Sequence, residues 1–307
     1  MIALGGNALQ PPGERGEIQE QFAHMRESLA PIVALAASGW RIAIVHGNGP
    51  QIGDELLRNE RAAVDIPPLP LGVLVASTAG WIGFMIQQTL RNALRLAGID
   101  REVVTVVTQA VVRPDEDAHP EKPVGRVMDE ATARRLAQRF GWNVAPVDGG
   151  WRRRVLSPRP VAIVEAEAVR TLVDAGVIVI AAGGGGTPVR EGAHGTLEPE
   201  DAVIDKDRAA AVLGRAIGAE LLLILTNVDG VYREYGTPNQ RLIERLTLAE
   251  AEELIGSGEL GGGSMQPKVE AAVDFIRSGG RRAHIARLDQ GLEAVTRRAG
   301  TTIEMAI

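Results

Sequence analysis

The chain has 307 residues, a net charge of −6 (33 Lys+Arg against 39 Asp+Glu) and no cysteine. The absence of thiols excludes disulfides, thiolate metal sites, iron–sulfur clusters and cysteine nucleophiles, and the acidic balance argues against a broad nucleic-acid-binding face. With 45% hydrophobic and 23% charged residues, the sequence suits an ordinary soluble α/β core; no membrane span or signal segment is read in it, and a cytoplasmic location is expected.

Ile2 to Leu4 is a short apolar run that ends at Gly5-Gly6-Asn7, and it reads as a first strand opening into a glycine turn. From Ile18 the residues Phe22, Met25, Leu29 and Val33 recur at helical spacing, with a kink expected at Pro31 and a stop at Gly39. Arg41 to Val45 is the next strand and ends at His46-Gly47-Asn48-Gly49-Pro50. Leu71 to Ala97 reads as a helix and Glu102 to Thr108 as a third strand.

The rhythm breaks between residues 113 and 160, a stretch rich in proline and charge and too long for a plain loop. It reads as a small protruding subdomain inserted into a single domain spanning 1–307, with Val124, Val127, Met128, Leu136, Phe140, Trp142 and Val144 as a minor core. The alternation then resumes, with a helix at Val161 to Ala175, a strand at Val177 to Ala182 and a four-glycine loop at Gly183 to Gly186. Asp205 to Ile217 is a helix, Leu221 to Thr226 a buried strand, and Asn227 to Gly236 a turn-rich segment. Pro267 to Ser278 is a helix, Ala283 to Leu288 a strand, and a last helix and strand follow. This order predicts an α/β/α sandwich with a mainly parallel open sheet and helices on both faces.

Three glycine-rich loops each follow a predicted strand: Gly5-Gly6-Asn7, Gly47-Asn48-Gly49 and Gly183 to Gly186. Ligands of parallel sheets sit beyond the carboxyl ends of strands, and three such loops in one sheet point to an anionic ligand. Gly47, Gly49 and Gly53 are spaced one residue too widely for a dinucleotide fingerprint, and no P-loop motif occurs. A dehydrogenase and a P-loop nucleotidase are both disfavoured.

The only lysines, in an arginine-biased chain, are Lys122, Lys206 and Lys268. Sparing use of lysine suggests a need for compact point charges at those places. Lys206 lies between two carboxylates, Asp205 and Asp207, at a probable helix start, and Asp207 is a candidate to hold two of the lysines. Phosphoryl transfer accounts for such a set, because its transition state spreads charge over oxygens that positioned cations stabilise. No histidine has a convincing acidic partner in sequence, and an acceptor that is already anionic needs no base. His24, His194 and His284 read as surface or packing residues, and His46 as a loop-ordering group. Arg152 to Arg154 read as a solvated basic turn or an anion clamp, and the four tryptophans as packing residues. Asp115 to Asp117 carries too much like charge to be argued as a metal site, and no protein-held metal is expected.

The segments MIALGGNAL (1–9), HGNGPQIG (46–53), GGGGTPV (183–189), AVIDKD (202–207), LTNVDGVY (225–232) and GSMQPKVEA (263–271), in this order, resemble carbamate kinase of the amino-acid kinase superfamily. Ala3 stands where many superfamily members carry a lysine, and Lys122 matches the residue that supplies this cation from a protruding subdomain in carbamate kinases. Asn227 and Gln266 depart from the usual Asp and Gly.

The resemblance implies reversible phosphoryl transfer between ATP and carbamate, usually run from carbamoyl phosphate and ADP toward ATP in arginine metabolism. Lys122, Lys206, Lys268 and Asp207 would be catalytic, and Gly5, Gly6, Asn7, Gly47, Asn48 and Gly49 would hold the carbamoyl or phosphoryl group. Gly184, Gly185, Thr226, Asp229, Val231, Tyr232 and Met265 fall at the nucleotide. ATP or ADP would come with Mg2+, and a homodimer is implied, with neither nucleic acid nor membrane as partner. The alternatives are a kinase of the same fold for another small anionic acceptor, or a non-catalytic carbamoyl-phosphate or nucleotide sensor.

Overall fold

The computed structural model describes residues 1–5, 9–10, 16–113, 121–260 and 265–306. The first half of the chain runs β1 (Ile2–Leu4), α1 (Ile18–Ser28), α2 (Ala30–Ala37), β2 (Ala43–His46), α3 (Gly49–Ala62), α4 (Leu71–Leu96), β3 (Val103–Thr105) and β4 (Gln109–Val112). It continues with β5 (Glu121–Met128), α5 (Glu130–Phe140), β6 (Asn143–Val147), β7 (Gly150–Leu156), β8 (Pro160–Ile163), α6 (Ala166–Asp174), β9 (Ile178–Ile180), β10 (Thr187–Glu191) and β11 (Leu197–Pro199). Then come α7 (Lys206–Ala216), β12 (Leu221–Thr226), β13 (Tyr232–Arg233), β14 (Arg241–Leu242), β15 (Arg245–Thr247), α8 (Leu248–Gly256), α9 (Met265–Arg277), β16 (Arg282–Arg287), α10 (Gly291–Val295) and β17 (Thr301–Glu304).

Eight strands form the main sheet in the order β15-β17-β16-β12-β1-β2-β9-β3, and every neighbouring pair is parallel except β16 with β17. Its central strands are apolar throughout because both faces are covered. Along β12, Leu222 and Ile224 enter one core with α6, α7, α8 and α9, while Leu221, Leu223 and Leu225 enter a second core with α1, α2, α4 and α10. Successive side chains of a strand point to opposite faces, so one run of six apolar-to-polar residues serves two cores. The result is the predicted three-layer sandwich.

The remaining strands build two smaller sheets and one two-stranded ribbon. One sheet has the order β11-β10-β4-β8 and the other the order β5-β7-β6, while β13 and β14 pair alone. Strands β4 and β8 pair antiparallel on either side of the stretch that carries β5 to β7. Helix α5 covers that three-stranded sheet, with Asp129 accepting from Thr132 N–H at 2.8 Å at its start and Gly141 closing it at φ +69°. A third core of Ile52, Leu56, Leu74, Val75, Val124, Val155 and Val203 joins β5 and β7 to α3 and to the start of α4.

Several expectations need correction. The helix expected over Val161 to Ala175 is a strand, β8, followed by the shorter helix α6. The third strand, expected over Glu102 to Thr108, covers only Val103–Thr105, and an unexpected strand follows at Gln109–Val112 in the four-stranded sheet. Val127 is half exposed, and Val124 packs with Val155 in the third core shared with α3 and α4 rather than in a core of the insertion alone. Arg152 to Arg154 lie on strand β7 and not in a turn. The kink at Pro31 is a full break between α1 and α2, with Pro31 in the first turn of the second helix. Helix α4 is long and apolar enough to cross a membrane by length and composition, contrary to the sequence reading, and Ile82, Met85, Ile86, Leu90 and Leu94 bury its inner face in the second core.

Candidate active site

Strands β12, β1, β2 and β9 are successive neighbours in the main sheet. Their parallel registers, with Leu4 opposite both Leu225 and His46, bring the loops after them to one edge. The N–H of Gly5 donates to the Leu225 carbonyl at 3.1 Å and that of Gly47 to the Leu4 carbonyl at 3.1 Å. Both glycines therefore extend the ladder by one rung and shape the loops; their own N–H groups are committed. Gly6 and Asn7 lie outside the described residues.

Asn48 is buried and donates from Nδ2 to Thr78 Oγ1 of α4 at 2.9 Å, and that hydroxyl donates on to the Val75 carbonyl at 2.8 Å. Gly49 opens α3, so the first N–H groups of that helix face the loop cluster with no partner in their own helix. The glycine loop after β9 closes against this corner. A Cβ on Gly184 would fall 2.4 Å from Asn48 Nδ2, and one on Gly185 would fall 2.5 Å from the Ile204 carbonyl. Only glycine lets the loop lie between Asn48 and the segment that leads into α7. Ala182 enters the loop in the left-handed region at φ 48°, with its N–H bonded to Thr108 Oγ1 at 2.8 Å. His46 beneath the loop is fully buried, its Nδ1 3.1 Å from the Gly47 carbonyl, and burial lowers its pKa to about 4. It is a neutral ordering group, as expected.

The three lysines arrive from three different elements. Asp207, 2% exposed, holds Lys206 Nζ on Oδ1 and Lys268 Nζ, from α9, at 3.4 Å on Oδ2. Lys122, from β5, lies 2.9 Å from Asp205 Oδ2. Asp205 also caps α7, accepting on Oδ1 from the N–H of Asp207 at 2.9 Å and of Arg208 at 3.4 Å. Burial drives the Lys206 pKa down; the Asp207 charge opposes this and the Lys268 charge adds to it. Burial would raise Asp205, but the charges of Lys122, Lys206 and Lys268 outweigh it and hold the carboxyl well below the usual range. Among the described residues, three lysines thus meet two aspartates in one corner, an arrangement suited to an anion.

The nucleotide candidates gather at the end of β12. Thr226 closes that strand, and Asp229 accepts from Tyr232 O–H at 3.0 Å and pairs with Arg287 at 3.0 Å. Tyr232 packs on Tyr235 with ring centroids 5.8 Å apart, and Met265, half buried, begins α9 three residues before Lys268. Val231 is placed differently. It is 0% exposed, its N–H donates to Thr301 Oγ1 at 2.8 Å and its carbonyl accepts from Ile243 N–H at 2.8 Å. It packs behind the cluster.

Gln266, one of the two departures, donates to Glu270 Oε1 at 2.9 Å, and Glu270 in turn receives Arg208 of α7 at 2.8 Å. Arg152 donates to the Gly125 carbonyl at 2.8 Å, and Arg153 lies over Trp142 at 4.7 Å and pairs with Glu60 at 2.6 Å. These arginines tie the small sheet together and dock it on α3. Sequence reasoning named Asp205 beside Lys206 without giving it a role and passed over Thr78 and Arg287. Of these, Asp205 alone carries a local signal, an aspartate directly before a helix.

Residues 1–287 match the amino acid kinase family. The carbamate kinase of Pyrococcus horikoshii is 45% identical over 308 positions, covering 99% of this chain and 98% of its own. A solved carbamate kinase from Giardia lamblia bound to citric acid gives a TM-score of 0.94 at 35% identity, covering 99% of this chain and 97% of that one. The Giardia lamblia enzyme bound to AMP-PNP gives 0.89 at 36% identity, with 99% and 98% covered. With this fold, this lysine cluster and this extent of likeness, the chain belongs to the amino acid kinase family and, within it, to the carbamate kinases, which are phosphotransferases.

Proposed function

We propose that the chain transfers the γ-phosphoryl group reversibly between ATP and carbamate. In one direction a carbamate oxygen forms the new bond to phosphorus while the bond to the bridging oxygen of ADP breaks; in the other, ADP attacks carbamoyl phosphate and carbamate leaves. The acceptor oxygen is already anionic, so no residue has to remove a proton. The observation that carries this reading is the convergence of all three lysines of the chain on Asp205 and Asp207. Lys122, Lys206 and Lys268 stabilise the oxygens of the transferring group, and Asp207 orients two of them.

Asn48 and the start of α3 at Gly49 hold the carbamoyl group, with Gly5, Gly6, Asn7 and Gly47 shaping that loop. Gly184 and Gly185 line the phosphates, and Thr226, Asp229, Tyr232 and Met265 the nucleoside. Among the described residues no cluster of three or more His, Asp or Glu is placed to hold a metal. Mg2+ enters with the nucleotide, carried by phosphates and water. The sheet of β5, β6 and β7, with α5, acts as a lid unit that delivers Lys122. A homodimeric, cytoplasmic enzyme completes the proposal.

The test is ATP formation from carbamoyl phosphate and ADP, followed by ATP consumption with carbamate, acetate and acetylglutamate as acceptors. Turnover with carbamate alone supports the reading. Preference for another acceptor, or binding without turnover, overturns it.

A further inference from the structure

We infer that Asp205 is a positioning residue that fixes the Lys122 ammonium in the frame of Lys206 and Asp207, an assignment that rests on the phosphoryl-transfer reading above. The two oxygens of Asp205 have separate tasks. Oδ1 accepts from the N–H groups of Asp207 at 2.9 Å and Arg208 at 3.4 Å, both in the first turn of α7. That turn also carries Lys206 and Asp207 themselves. With one oxygen held by two backbone donors of a helix, the direction of the other is set by the helix. Oδ2 meets Lys122 Nζ at 2.9 Å.

Lys122 needs such an anchor more than the other two lysines do. Lys206 and Lys268 stand on helices of the main body, are 7% exposed, and share Asp207. Lys122 comes from β5 of the separate three-stranded sheet, and its side chain is 26% exposed. A lysine side chain on four rotatable bonds spreads its charge over a wide volume unless a partner restricts it. Asp207 pairs with the two lysines on helices and Asp205 with the one on the small sheet. Asp205 itself touches no reacting atom in this arrangement; it acts through Lys122.

Asp205→Asn separates this role from helix capping, because asparagine caps a helix as well as aspartate does while losing the charge that binds Lys122. The variant should melt within about 2 °C of the parent and keep its KM for ADP within about twofold, while kcat falls about tenfold to a hundredfold. In a Lys122→Gln background the same change should cost nothing further, the signature of two residues acting as one unit. A second readout needs no turnover: acetylation of Lys122 by N-hydroxysulfosuccinimide acetate, followed by mass spectrometry, should speed up severalfold in Asp205→Asn. Parent-like kcat in Asp205→Asn, an equal loss in the Lys122→Gln background, or an unchanged labelling rate each overturns the assignment. If Lys122→Gln leaves too little activity to measure, the labelling rate decides. A parent that makes no ATP from carbamoyl phosphate and ADP defeats the functional reading instead, and the labelling contrast still reports whether Asp205 holds Lys122.

Discussion

Gly53 of α3 and Gly125 of β5 meet backbone to backbone: a Cβ built on Gly53 would lie 2.0 Å from Gly125 Cα and 2.4 Å from its N. Around this contact Arg126 binds Asp54 with two N–H groups, and Glu60 accepts from Trp142 and Arg153. Helix α3 therefore joins the Gly47-Asn48 loop at its first residue to the sheet that carries Lys122. Gly53→Ala should force the two apart, lowering stability by about 1–3 kcal/mol and reducing turnover at saturating ADP. Gly49→Ala meets nothing within 4 Å, so its unfolding midpoint should match the parent while its KM for carbamoyl phosphate rises. Equal urea midpoints for all three proteins would discount the contact.

Lys206→Ala should keep the fold, since Asp207 retains Lys268 as a partner, and lose about a hundred- to a thousandfold in kcat, or roughly 3–4 kcal/mol of transition-state stabilisation. Lys206→Arg should also be slow, because a planar fork cannot replace a point charge in a buried corner. Near-normal turnover in a folded Lys206→Ala protein would remove this lysine from the mechanism.

The pH profile follows from the same residue. With its pKa driven down by burial, Lys206 loses its proton, and the site a cation, at a lower pH than ordinary lysine does. The alkaline limb of kcat/KM should therefore fall with a midpoint below the ordinary value of 10.5. In Lys206→Arg, whatever activity remains should persist to higher pH. A parent profile flat beyond pH 10.5 would contradict the placement.

His46 and His284 should make stability depend on acid. Burial lowers each to about 4, with the charges of Arg282 and Arg297 adding to the effect at His284. The folded pKa lies below the unfolded value of about 6.5, so the unfolded chain binds more protons between the two values. Each histidine contributes stability that is full above about pH 6.5 and is lost as pH falls toward 4, up to ~3 kcal/mol apiece. His284 Nδ1 lies 3.0 Å from Thr302 Oγ1, and His284→Asn keeps a polar group near that position. Urea midpoints measured from pH 7 to pH 4.5 should decline less steeply in this variant, and an unchanged slope would exclude His284 as a contributor.

Tyr232→Ala should raise the KM for ADP more than it lowers kcat, the pattern of lost uniform binding. Tyr232→Phe, which removes only the hydroxyl that donates to Asp229, should lie between the two. A larger fall in kcat than rise in KM would place Tyr232 among the groups that act on the transition state.

The parts of this architecture that could be read in the sequence have local causes. The apolar run of β12 needs cover on both faces, and three glycine turns after three strands gather wherever those strands lie side by side. The lysine cluster was legible because the chain uses the residue so sparingly. Helix α3 was hidden because Gly49 and Pro50 read as the end of a glycine turn, although Pro suits a first turn and Gly53 is required by the backbone of Gly125. Strand β8 runs directly into the apolar, helix-favouring stretch of α6, and its strand character comes from pairing with β4. The Asp205–Lys122 pair spans 83 positions and joins the start of α7 to β5 of the small sheet, so no local pattern could announce it.

The placement of β1 bears on the order in which the site is assembled during synthesis. Ile2 pairs with Ile44 on one side but with Leu223 on the other, so during synthesis β1 waits for about 220 further residues before its second neighbour exists. A nascent chain that ends before Leu221 already holds the glycine loops and two of the three lysines, with one flank of β1 unpaired. Pairing so distant in sequence is slow to form, and a half-covered apolar strand invites association with other chains. Ribosome-stalled chains ending at residue 215 should therefore resist refolding and recruit chaperones, whereas chains extended past Arg287 should acquire protease resistance in one step.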